Sequence, residues 1–174
     1  MKSKENIVFL GMMGSGKTTM GSLISKKLKL DFFDTDQVIE KELGMTITKI
    51  FKSKGEQFFR EFEEKITLDI LKKKKIVIAL GGGGFLNSNI RREILNNHLS
   101  FWLNWEEQTI IKRIKNSKKR PIALDTTSHE LSKLIKKRSN IYSKALYKVN
   151  CNNLNKTETV NKVINIYENN KVNN

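Results

Sequence analysis

The sequence predicts an α/β fold: three layers, α/β/α, built on a five-stranded parallel sheet. Three observations predict it. Five short apolar runs alternate with segments whose apolar residues recur at helical spacing. The first run breaks into a glycine-rich loop, Gly11 to Thr19, that opens directly into a helical pattern. The 174 residues show no internal repeat and no inter-domain linker, and they suffice for a single domain, 1–174, with a sizeable core.

The first run, Ile7-Val8-Phe9-Leu10, reads as a buried strand, and the segment apolar at Met20, Leu23, Ile24 and Leu28 as one helix face. Between them stands Gly11-Met12-Met13-Gly14-Ser15-Gly16-Lys17-Thr18-Thr19, a G-x-x-x-x-G-K-[ST] phosphate loop, which makes the fold one of P-loop NTPase type. A loop that wraps a polyphosphate points backbone N–H groups inward, at angles that side chains obstruct. Gly11, Gly14 and Gly16 remove the obstruction. The helix starting near Lys17 aims its free N–H groups and positive dipole end at the phosphates. Lys17 brings a mobile charge for the β- and γ-phosphates, and the Thr18 hydroxyl can ligate Mg²⁺, a hard cation that takes oxygen. Gly14, Ser15, Gly16, Lys17, Thr18 and Thr19 are therefore the expected nucleotide contacts. The motif specifies a nucleoside triphosphate and leaves the second substrate open.

A short second strand around Phe32 and Phe33 carries Asp34 and Asp36 at its C-terminal end, where parallel α/β sheets bind ligands. A spacing of two puts both carboxylates on one side of an extended backbone. One could hold Mg²⁺ through water while the other takes a substrate proton; the alternative is that Asp36 caps a helix Gln37 to Leu43. Gly44 ends that helix, Thr46 starts another to Lys54, and Gly55 stops it. Glu56 opens a longer helix, to about Lys73, bearing Arg60. The plainest reading of Arg60 is an i,i+4 ion pair with Glu56 or Glu64.

Ile76 to Leu80 is the third strand and runs into Gly81-Gly82-Gly83-Gly84, where backbone can approach a ligand closely. A helix around Asn89 to Leu95 follows, then His98, read as a loop or surface histidine. Ser100 to Leu103 is the fourth strand and Glu106 to Ile114 a helix. Lys115 to Ser128 is polar and aperiodic and contains Arg120 and the only proline, Pro121; such a segment is expected to be a mobile lid. A helix Glu130 to Ala145 carries Arg138, Tyr147 to Cys151 is the fifth strand, and Thr157 to Glu168 the last helix. The tail, 169–174, is expected to be disordered.

No apolar run reaches 18 residues, and residues 1–6 lack the apolar core of a signal peptide, so a cytoplasmic protein with no membrane partner is expected. The single cysteine, Cys151, lies among apolar residues and reads as inert. The net charge of +15 raises nucleic-acid binding as a function. However, the 27 lysines are scattered apart from Lys72 to Lys75, which read as closing a helix, and Lys115 to Lys119. No nucleic-acid partner is expected, although the charge can attract anionic substrates. With no amphipathic segment left over, a monomer is expected. Asn155-Lys156-Thr157-Glu158 approaches the guanine-reading N-K-x-D motif but lacks its aspartate, and no D-x-x-G precedes it, which argues against a GTPase.

Taken together the motifs resemble one family, the shikimate kinases, over residues 7 to 155. The matching pieces are the phosphate loop, F-x-D-x-D at Phe32 to Asp36, G-E-x-x-F-R at Gly55 to Arg60, the glycine run at 81 to 83, R-P at 120 and 121, and R-x-x-x-Y at Arg138 to Tyr142. The resemblance implies ATP-dependent phosphorylation of the shikimate 3-hydroxyl, with one Mg²⁺ accompanying ATP. It implies that Asp36 grips the ring hydroxyls and serves as base, and that Asp34 meets Mg²⁺ through water. It further implies that Arg60 and Arg138 fork the substrate carboxylate beside the Gly82 and Gly83 backbone. Arg120 would reach the phosphates, and Arg113 would stack on adenine. Lys17, Asp36 and Arg120 are the implied catalytic set, and the substrate-binding segment is about 36–64. Arginine usage points the same way: four of six arginines fall at these positions in a chain that otherwise prefers lysine, and forking a carboxylate or stacking on a base suits a planar guanidinium. Arg91 and Arg92 read as surface residues. Leu80, where many members carry threonine, and Ser139-Asn140, in place of Ala-Pro, depart from the pattern. The alternatives are another small-metabolite kinase, such as a gluconate kinase, a nucleoside monophosphate kinase or, more remotely, a basic nucleic-acid-binding ATPase.

Overall fold

The computed structural model describes residues 6–116 and 126–172. Five parallel strands form one sheet: β1 (Ile7–Leu10), β2 (Asp31–Asp34), β3 (Ile76–Ala79), β4 (Leu99–Asn104) and β5 (Tyr147–Asn150), in the order β2-β3-β1-β4-β5. The helices are α1 (Lys17–Leu28), α2 (Thr35–Leu43), α3 (Ile47–Leu71), α4 (Ser88–Asn97), α5 (Glu107–Lys115), α6 (Ser128–Tyr142) and α7 (Lys156–Val172).

Alternation along the central strands divides the core. Ile7, Phe9, Val77, Phe101 and Val149 pack with α1 and α7, through Ile24, Val160, Val163 and Tyr167. Val8, Leu10, Ile78 and Trp102 face the other way, onto Ile70, Ile90, Ile110 and Ile135 of α3 to α6. A strand buried on both sides must be apolar at every position, which is why β1 and β3 read as unbroken apolar runs. A separate small core of Ile39, Ile50 and Phe59 joins α2 to α3. It supports the 36–64 segment from outside the sheet.

Element types follow the sequence, and four details differ. α2 begins at Thr35, not Gln37, and Asp34 is its N-cap: Asp34 Oδ1 accepts from the Asp36 and Gln37 amides at 3.1 and 3.3 Å. Asp36 therefore neither caps a helix nor shares an extended backbone with Asp34; it lies in the first helical turn. His98 is buried, 6% exposed, at the end of α4, with Nε2 3.6 Å from a Glu93 carboxylate oxygen, so the surface assignment was wrong. Arg91 is half-buried and donates to the Phe85 and Leu86 carbonyls at 3.0 and 2.9 Å, bracing the turn after the glycines. The last helix runs to Val172, so residues 169–172 are helical rather than disordered. Asn170 Nδ2 donates to the Ile166 carbonyl at 2.7 Å and to the Tyr147 hydroxyl at 3.2 Å, which ties that turn to β5.

α3 contains a kink at Gly55 (φ 82°, ψ 169°), the break the sequence placed there. Among the described residues no helix is long and apolar enough to cross a membrane. Most of the 115–128 segment, with Arg120 and Pro121, lies outside the described residues, as do residues 1–5.

Candidate active site

The site gathers at the C-terminal edge of the sheet, where the strands release their loops. The phosphate loop leaves β1 with Gly11, Gly14 and Gly16 all at positive φ (138°, 77° and 91°). A Cβ on Gly11 would lie 3.0 Å from the Leu103 carbonyl oxygen, so the first turn is closed to any larger residue on two counts. Lys17 is buried, and its Nζ donates to the Gly11 and Met12 carbonyls at 2.9 Å each, folding the side chain back over the loop.

The Thr18 hydroxyl donates to Asp34 Oδ2 at 2.6 Å. The two oxygens of Asp34 thus divide their work: Oδ1 caps α2 and Oδ2 meets the loop. This pairing of a hydroxyl and a carboxylate beside the phosphate loop is an all-oxygen set of the kind Mg²⁺ takes, so the residues fit that ion.

β3 delivers the glycine run opposite this loop. The Gly81 amide donates to the buried Thr35 hydroxyl at 2.8 Å, which fixes the run to the end of β2. A Cβ on Gly81 would meet Asp36 Oδ1 at 2.5 Å and Glu63 Oε1 at 2.8 Å, and one on Gly83 would overlap the Arg60 guanidinium. The glycines are needed because side chains crowd onto their backbone. Arg60 Nη1 lies 2.7 Å from Glu63, and Arg60 also reaches Glu56 at 3.3 Å, so the i,i+4 pair exists but is the lesser contact. Arg138 Nη1 reaches the Gly82 carbonyl at 3.4 Å, while its buried Nε has no hydrogen-bond partner among the described residues. The Tyr142 hydroxyl donates to the same Gly82 carbonyl at 2.5 Å.

Asp36, Arg60, Gly82, Gly83 and Arg138, named separately from the sequence, are thus brought together. Glu63 and Gly81 were missed. Glu63 is 2% exposed; burial pushes its carboxyl above the ordinary range, and the Arg60 charge pulls part of the way back. Gly81 was within the glycine run, and only its contacts single it out.

On the other side of the loop a cavity of about 360 Å³ is lined by Ser15, Gly16, Thr19, Arg113, Trp105 and residues after β5, including Cys151. Arg113 thus borders a cavity that adjoins the phosphate loop. Burial pushes the Cys151 thiol up to about 11, in accord with its reading as inert.

A parallel sheet ordered 2-3-1-4-5, a phosphate loop between β1 and α1, and a cluster of carboxylates and guanidiniums between α2, α3 and α6 mark a P-loop kinase fold of the nucleoside monophosphate kinase-like group. The family model for shikimate kinase matches residues 13–168. A shikimate kinase of Thermodesulfovibrio yellowstonii is 38% identical over 165 residues, covering 94% of this chain and 95% of that one. One of Bacillus subtilis is 39% identical over 167 residues, 92% of this chain and 88% of its own. The structure of shikimate kinase from Acinetobacter baumannii in complex with shikimate superposes with a TM-score of 0.88 at 29% identity, over 98% of this chain and 96% of that one. The chain belongs to the shikimate kinase family.

Proposed function

We propose that this chain transfers the γ-phosphoryl group of ATP to the 3-hydroxyl of shikimate, giving shikimate 3-phosphate and ADP. The observation that carries the reading is the acceptor corner: two carboxylates, Asp36 and the Arg60-paired Glu63, and two guanidiniums, Arg60 and Arg138, crowd a glycine backbone beside the phosphate loop. A small hydroxylated carboxylate needs that set, with cations to fork its acid group and an anion to hold an alcohol. In this reading Arg60 and Arg138 take the ring carboxylate alongside Gly82 and Gly83. Asp36 aligns the hydroxyl and accepts its proton late in the transfer.

Phosphoryl transfer asks mainly for positioning and charge neutralisation. Lys17 exchanges its carbonyl contacts for phosphate oxygens, the loop amides from Gly14 to Thr19 hold the chain of phosphates, and Arg113 takes the adenine. The Thr18 hydroxyl directly, and Asp34 through water, would hold one Mg²⁺, which supplies charge neutralisation between the phosphates when bound. The part of Arg120 rests on its sequence match alone. The same reading makes the protein a cytoplasmic monomer acting on two small anions, with no membrane or nucleic-acid partner.

A coupled ADP-release assay over a panel of acceptors tests this. Shikimate should support turnover, with gluconate and nucleoside monophosphates at background. Faster turnover on gluconate or a nucleotide, or hydrolysis stimulated by DNA or RNA, would overturn it. Gluconate kinase has the weaker support, because the relatives described above are all shikimate kinases.

A further inference from the structure

Trp105 stands between the phosphate loop and the base cavity, directly after the last residue of β4. Its indole Nε1 donates to the Ser15 carbonyl at 2.9 Å. The Arg113 Cζ lies 3.7 Å from the centre of the indole ring, and Arg113 Nη1 reaches the Gly14 carbonyl at 3.4 Å. Two side chains in contact thus reach two successive carbonyls of one loop. Both line the 360 Å³ cavity.

A guanidinium is flat and weakly hydrated, and it offers two faces for stacking. The Arg113 Cζ lies over the indole ring, and Arg113 also borders the cavity. Arg113 is otherwise exposed, and an exposed arginine loses rotamer freedom on meeting a ligand. Here the indole and the Gly14 carbonyl have already fixed it.

The geometry points to Trp105 as the positioning residue for the purine of ATP: it holds the Arg113 guanidinium as the middle layer of an indole–guanidinium–base stack. This rests on the ATP reading given above and deepens it. Trp105 acts through Arg113 on the base and not on the phosphates.

The readout is the ratio of affinities for ATP and inorganic tripolyphosphate, measured by calorimetry on the full chain. Damage to the phosphate loop weakens both ligands and leaves the ratio unchanged, whereas loss of the stack weakens ATP alone. Trp105→Leu should lower the ratio about five- to tenfold, the size of one cation–π contact partly shielded from water. Trp105→Phe, which keeps a smaller ring face and loses the Ser15 bond, should hold it within about twofold. Trp105→Gln, with a donor and no ring, gives the same test as Leu should that variant fail to fold. In an Arg113→Met background, Trp105→Leu should change the ratio no further. An unchanged ratio in the Leu and Gln variants, or a full drop in the Arg113→Met background, overturns the proposal. A parent chain that bound tripolyphosphate but gained nothing from the base would also sink it, while a parent that bound neither would remove the ATP reading itself.

Discussion

Arg60 Nη1 sits 2.7 Å from a carboxylate oxygen of Glu63, one helical turn further along α3. The arginine is about one-third exposed and the glutamate almost wholly buried. The pair therefore has a wet end and a dry end. The dry end sets how Arg60 is aimed, because Glu63 also packs against Gly81.

The raised Glu63 carboxyl has a direct consequence for stability. Its folded value lies above the ordinary 4.5, so between the two values the unfolded chain binds fewer protons than the folded one. Stability from this group is full below the unfolded value and is lost as pH rises through the folded one. Glu63→Gln removes that titration. Thermal unfolding of parent and variant from pH 4 to 7 should show the parent losing ground to the variant as pH rises. A gap that stays constant, or opens the other way, would show that Glu63 ionises as easily folded as unfolded.

Arg60→Lys should raise KM for shikimate strongly and leave KM for ATP nearly unchanged. A lysine ammonium cannot make the two parallel bonds of a guanidinium, and losing a charged hydrogen bond costs about 1.5–3 kcal/mol, or roughly 10- to 150-fold. Steady-state kinetics varying each substrate in turn decides it. Similar constants for both enzymes would take Arg60 out of the site.

Asp36→Asn keeps the shape of the side chain and removes its charge and basicity. Transfer should fall to background while ATP binding, measured by calorimetry, stays near the parent value. Turnover close to that of the parent would refute the assigned role.

Tyr142→Phe removes one hydroxyl, the donor to the Gly82 carbonyl, and leaves the buried ring in place. Loss of one buried hydrogen bond should lower stability by about 1 kcal/mol. Because that bond orients the glycine backbone beside Arg138, KM for shikimate should rise several-fold while KM for ATP holds. A fall in stability without a shift in KM would make the tyrosine a packing residue only.

Much of this was legible in the sequence, for reasons that differ by residue. The phosphate loop was readable because its chemistry is local: glycines, a lysine and a threonine at fixed spacing do their work within one turn. β1 and β3 were readable because burial on both faces forces unbroken apolar runs. The geometry around Asp36 was not legible, since α2 began two residues early and placed it in a helical turn rather than on the extended backbone it was expected to share with Asp34. Glu63 was hidden among Glu56, Glu61 and Glu64, all on one helix. Which of them turns inward depends on the helical phase set at Gly55, and that phase is fixed by packing on Ile39 and Ile50. Trp105 left a fainter signal, a large aromatic just beyond the end of a central strand. His98 was misread because its burial shows only in the folded chain, and the end of α7 because Tyr147, 23 residues before Asn170, meets it only through the fold.

The Lys17 ammonium already has two carbonyl partners within the loop it serves. A triphosphate arriving there does not find a bare cation; it competes for one that is occupied. The measured affinity is therefore a difference between two sets of contacts, and a substitution that merely loosened the grip of those carbonyls could tighten nucleotide binding without adding a single new interaction.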